Sequence, residues 1–94
     1  ALMRIDYPDE EPVFDGAQMV VRFAAVVDGV ELACAVTAEA LEDHFGARSA
    51  LPEDILRAYH EGTERIRSVC TRAIEANDGA AVVLRSGLFR MEDA

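Results

Sequence analysis

The sequence has no lysine and no tryptophan, and among its 94 residues it has only two cysteines and three prolines. Each scarcity excludes something. Cys34 and Cys70 are too few for a disulfide framework and lack the paired spacing of a metal site. Both fall on faces read below as apolar, where a thiol behaves as a small hydrophobe. No apolar run approaches the roughly 20 residues that a membrane helix needs. The opening Ala1-Leu2-Met3-Arg4 also lacks the apolar stretch of a secretory signal. The expectation is a soluble, cytoplasmic protein that makes no membrane contact. Positive charge is scarce as well: nine arginines stand against eighteen acidic residues, for a net charge of −9. Binding that neutralises phosphates needs a positive field, so nucleic acid ranks last among the partners considered.

What is abundant is apolar residues, 51% of the chain and evenly spread. That is enough for one core and one domain spanning residues 1–94. Within it, residues 1–17 form an acidic arm or edge segment. Asp6, Asp9, Glu10, Glu11 and Asp15 outweigh Arg4 there, and Pro8 and Pro12 each remove a backbone donor. Ile5, Val13 and Phe14 are the residues able to anchor this arm, with a short strand near Val13-Phe14 as one way of doing so. The core domain occupies residues 18–90.

The clearest local signal is a β-hairpin. Residues 20–27 and 30–37 are two β-rich runs separated by Asp28-Gly29, and a type I′ turn needs positive φ at both central positions. A two-residue loop fixes the register, opposing Val27 to Val30, Ala25 to Leu32, Phe23 to Cys34 and Val21 to Val36. These residues share one wholly apolar face. The other face carries Val20, Arg22, Ala24 and Val26 opposite Thr37, Ala35, Ala33 and Glu31. A slip of one residue would exchange the two faces, so the register is well specified.

Thr37 suits the N-cap of a short helix that Gly46 ends, with Leu41 and Phe45 on one side. Pro52, Glu53 and Asp54 then open a longer helix expected to reach Asn77. Its stripe of Ile55, Tyr59, Gly62, Ile66, Val69, Cys70, Ala73 and Ile74 has helical period. Gly62 on that stripe either permits close approach to the sheet or breaks the helix in two. A last strand is read at residues 80–85, a turn at Ser86-Gly87, an apolar closing patch at Leu88-Phe89 and a polar tail over residues 90–94. The order β-β-α-α-β predicts a two-layer α+β fold: a small antiparallel sheet, hairpin plus C-terminal strand, packed by a short and a long helix.

Chemistry-bearing patterns are sparse. His60-Glu61 begins like a zinc-peptidase motif, but Glu64 stands where the second histidine is needed. The glycines are isolated, so there is no phosphate-binding loop. The acidic run Asp9-Glu10-Glu11 lacks the ligand spacing and the glycine of a calcium loop. No nucleophile–base pair, metal set or cofactor motif can be assembled from spacing alone. The chain is therefore not expected to act as an enzyme by itself or to carry a metal or cofactor. An enzymatic or ligand-binding alternative would bring Cys34 and His44 into one cleft with an acidic neighbour.

In chain order, Val20-Val21-Arg22-Phe23, Val27-Asp28-Gly29, the run from Leu32 to Thr37, the run from Glu39 to Gly46 and the helix around Glu64-Arg65-Ile66 resemble the small bacterial proteins grouped as domain of unknown function 1488. The resemblance covers about residues 9–90 and is most telling from Cys34 to Gly46. It implies a small α+β domain in a bacterial cytoplasm, with no assigned activity. The functional expectation is a non-catalytic protein-interaction or self-associating module. Val20 and Val26 on the uncovered hairpin face, and Tyr59, Arg65 and Arg67 on the long helix, are its candidate contact residues. Weak nucleic-acid binding through the same arginine-bearing helix is the lesser alternative.

Overall fold

Asp28 and Gly29 turn the chain with φ of 50° and 86°, the left-handed pair that a type I′ turn requires. In the computed structural model, which describes residues 3–92, the hairpin they join consists of β3 (Val20–Val27) and β4 (Val30–Thr37). Every pair follows the expected register, from Val27 opposite Val30 to Val20 opposite Thr37. The arm contributes two short strands, β1 (Ile5–Asp6) and β2 (Val13–Asp15), and both pair antiparallel with β3. Pro8 and Pro12 lie in the connector between them, on the sheet edge, where a missing backbone donor does least harm. Residues 1–2 of the arm and 93–94 of the polar tail lie outside the described residues.

Thr37 caps α1 (Ala38–His44), its hydroxyl accepting the Ala40 N–H at 3.1 Å. The expected long helix is two helices, α2 (Pro52–Glu61) and α3 (Thr63–Ala76), that meet at Gly62. Of the two roles considered for Gly62, the helix break holds, and the close approach is to the end of α1 rather than to the sheet. Gly62 ends one helix and starts the next, and a Cβ built on it would overlap the Phe45 ring, lying 2.6 Å from Cε1 and also against Cδ1. A continuous helix would hold the chain on one axis; the break lets both halves lay their apolar stripes on the sheet.

Two further corrections concern the C-terminal part. The last strand, β5 (Val83–Leu84), is shorter than the run at 80–85 and pairs parallel with β4, so the sheet is mixed rather than purely antiparallel. Residues 86–90, read as a turn, an apolar closing patch and the start of a tail, form most of α4 (Ser86–Glu92), and Leu88 and Phe89 do pack on the core from it. Because β4 and β5 run in the same direction, α1 and α4 leave the sheet at the same end and pack together.

The core lies between one face of the sheet and the helices. Val21, Phe23, Ala25, Cys34, Val36 and Leu84 meet Leu41, Ile55, Tyr59, Ile66, Val69, Cys70, Ile74 and Phe89 there. The Phe23 and Tyr59 rings are 5.7 Å apart, and Phe45 meets Phe89 edge-on at 5.2 Å. The α+β class, the hairpin and the C-terminal strand therefore stand as read from the sequence.

Candidate functional site: the helix-free sheet face and two side-chain groups on the helical side

Alternation along the strands sends Val20, Arg22, Ala24 and Val26 of β3, Glu31, Ala33, Ala35 and Thr37 of β4, and Val83 of β5 away from the helices. Val20 and Ala35 are buried here by their sheet neighbours and stand apart from the helix-packed core. A hollow of about 170 Å³ lies on this face, lined by Val20, Arg22, Ala35, Thr37, Val83 and Arg85 without any helix residue. Val13 and Val83 are 61% and 48% exposed on the same side. Acidic side chains outnumber basic ones in and beside these strands: Asp6, Asp15, Asp28 and Glu31 accompany Arg4, Arg22 and Arg85, and Glu10 and Glu11 line a hollow on the same side with Val13 and Ala33. Part of that charge is paired, Arg4 with Asp6 at 3.2 Å and Arg22 with Asp15 at 2.9 Å. The Arg22 guanidinium, helped by the Gln18 and Ala17 N–H groups, holds the Asp15 carboxyl below the usual carboxylate range.

The residues singled out in the sequence do not converge on one site. Val26 lies on the helix-free face and is half-buried. Val20 shares that face but is only 7% exposed, so it forms the floor rather than the contact. Tyr59 is buried against Phe23 on the opposite side of the sheet, and burial pushes its phenol up. The Arg65 guanidinium lies 5.0 Å from the centre of the Phe45 ring and 5.7 Å from that of Phe89, and it donates to the His44 carbonyl at 3.4 Å. The Arg67 guanidinium lies 5.4 Å from the centre of the Tyr7 ring. Both arginines are thus engaged on the helical side.

Cys34 and His44 enter different clusters. His44 Nε2 is 3.1 Å from the Ser86 carbonyl oxygen and 3.2 Å from Ser86 Oγ. Ser86 Oγ donates to Asp43 Oδ2 at 2.6 Å, so its proton is committed to the carboxylate and not to the imidazole. Ser86 is only 4% exposed, and the arrangement fastens the start of α4 to the end of α1. Cys34 lies instead in the core cluster that also holds Cys70 of α3, and both thiols are buried. Tyr7, from the arm, reaches α3 beside Cys70, its hydroxyl 2.8 Å from Thr71 Oγ1 and 3.0 Å from the Arg67 carbonyl it donates to.

Sequence reasoning passed over Tyr7, Ala33, Val83 and Ser86. Val83 had a signal, since it alternates with Leu84 in a β-rich run. Ala33 had the same kind of signal, since the hairpin register sets it on this face opposite Ala24; Tyr7 and Ser86 had none. Tyr7 is one aromatic in an acidic arm, and its partners stand 60 and 64 positions away. Among the described residues, no helix is long and apolar enough to cross a membrane, and no three His, Cys, Asp or Glu side chains are grouped so as to hold a metal ion.

No curated protein matches the chain. A solved structure of a protein of unknown function from Shewanella loihica PV-4, assigned to the same family that the sequence resembles, superposes with a TM-score of 0.73. The likeness covers 86% of this chain and 92% of that one at 20% identity, which establishes the shared fold. The model of the family described as "Protein of unknown function (DUF1488)" matches residues 5–84. With all five described strands and the first three helices inside that match, the chain belongs to the DUF1488 family.

Proposed function

We propose that the protein is a non-catalytic association module whose helix-free sheet face docks a second copy of itself. The observation behind this reading is an apolar floor, Val20 and Ala35, on the side of the sheet that no described helix covers, with Val13 and Val83 exposed beside it. The Arg4–Asp6 and Arg22–Asp15 ion pairs neutralise part of the charge around that floor. A two-fold contact would set the floor of one copy against that of the next, around Val13, Val26, Ala33 and Val83. An apolar sheet face of this kind is a common docking surface. An interaction with a different protein would use the same face, and the same experiment separates the two.

Sedimentation equilibrium over a wide concentration range, up to millimolar, is the test. The expected result is a reversible monomer–dimer equilibrium that weakens when Ala33→Glu or Val83→Glu places like charges opposite each other. Both positions are exposed, so the fold should tolerate the change. A protein that stays monomeric throughout, or a dimer indifferent to both substitutions, would contradict the proposal.

A further inference from the structure

The helix-free face is polarised along its strands. Toward the hairpin turn, Glu10, Glu11 and Glu31 line one hollow with Val13, Ala24 and Ala33. Toward the start of α1, Arg22 and Arg85 line the other with Val20, Ala35, Thr37 and Val83. Arg22 is taken up by Asp15, and Arg4, at the turn end, by Asp6. Arg85 and Glu31 are exposed, and among the described residues neither makes a side-chain hydrogen bond or an ion pair. Glu39 lines an adjoining hollow beside Arg85 without pairing with it. With a rise of about 3.4 Å per residue along β4, the Glu31 and Thr37 ends of the face lie roughly 20 Å apart.

We infer, on the basis of the self-docking reading above, that the two copies meet in the antiparallel sense, Arg85 of each reaching Glu31 of the other. The two-fold axis of a face-to-face pair lies in the interface. Running along the strands, it keeps their direction and sets Glu31 over Glu31 and Arg85 over Arg85. Running across them, it reverses their direction and sets each end over the opposite one, twice in a single contact. Like charges set face to face oppose association, and on a chain of net charge −9 the parallel sense would add local repulsion to the overall one. Between the two ends lie Ala24, Ala33 and Ala35, whose small side chains let the facing sheets approach. Sheets packed face to face are about 10 Å apart, a gap that arginine and glutamate side chains can bridge from opposite sides.

Both side chains point to solvent, so reversing their charge leaves the core untouched. Sedimentation equilibrium on a charge-reversal cycle is the test. Arg85→Glu and Glu31→Arg should each raise the dimer dissociation constant about ten-fold, since each places like charges together at two symmetric contacts. The two substitutions combined should bring it back close to the wild-type value. Glu31→Arg is the sharper probe. It lowers the net negative charge, so overall repulsion alone would tighten the dimer, whereas the local pair predicts a weaker one.

A dimer that Val83→Glu disrupts but that Glu31→Arg leaves unchanged or tightens would overturn the antiparallel orientation and leave the self-docking face standing. A combined variant no tighter than the single ones would overturn it in the same way. A wild-type chain that stays monomeric up to millimolar concentration would overturn both.

Discussion

Gly62 is specified by what a methyl group there would strike. The Phe45 ring occupies the space of its absent side chain, with the Ala58 carbonyl 3.3 Å from the same point. Gly62→Ala must displace the ring, which itself packs on Phe89 and under Arg65. Overpacking of this kind costs about 1–3 kcal/mol, to be read as a lowered midpoint in urea denaturation. A midpoint at or above that of the wild type would show that the ring yields freely. Phe23 stands at the centre of the sheet's inner face, 8% exposed and against Tyr59. Phe23→Ala should cost about 3–5 kcal/mol, a large part of the stability of a domain this size. Unchanged melting would contradict the register. These two residues were legible from sequence, Phe23 through alternation and Gly62 through its place on the helical stripe. Tyr7 and Ser86 were not, because each is defined by polar partners more than 40 positions away, and no local pattern encodes such a bond.

At the scale of elements, local chemistry decided what could be read. The hairpin announced itself because Asp-Gly, alternation and equal strand lengths all favour one register. β5 was legible as a strand but not in its direction: a β-rich run looks the same in either sense, and only the path of α1, α2 and α3 returns the chain parallel to β4. α4 escaped notice because Ser86-Gly87 reads as a turn, and a seven-residue helix is too short to display a period. β2 is held by its pairing with β3 and by Phe14 against the core, and one charged contact adds to this. Arg22 first, and then the Gln18 N–H, keep the Asp15 carboxyl below its usual range. A group with a depressed folded-state pKa contributes stability above its ordinary value and loses it as the pH falls through the lowered one. The pairing of Phe14 with Val21, followed by cross-strand nuclear Overhauser effects, should therefore weaken on acidification. In Asp15→Asn it should already be weakened at neutral pH and show no further acid loss attributable to this position. Equal acid sensitivity in both proteins would mean that other carboxylates govern β2.

For the molecule as a whole, total charge and surface pattern carry different information. The net charge of −9 argues against phosphate-bearing partners. Only the structure shows which side of the sheet no described helix covers. The sequence pointed to that face through Val26, but it could not tell Val20, which is the floor, from Val83, which is the surface, because burial there depends on β2 and β5 lying alongside the hairpin. Arg65 and Arg67 of α3 were read as contact residues from the sequence. Their guanidinium groups in fact lie over Phe45, Phe89 and Tyr7.

The central claim, that this face meets its own copy, is tested most directly by following backbone amide chemical shifts on dilution from millimolar to low micromolar concentration. The account predicts concentration-dependent shifts at Val13, Val26, Ala33 and Val83, all following one dimerisation isotherm, while α2 and α3 stay unchanged. Shifts confined to the helical side, or none anywhere across the range, would contradict it.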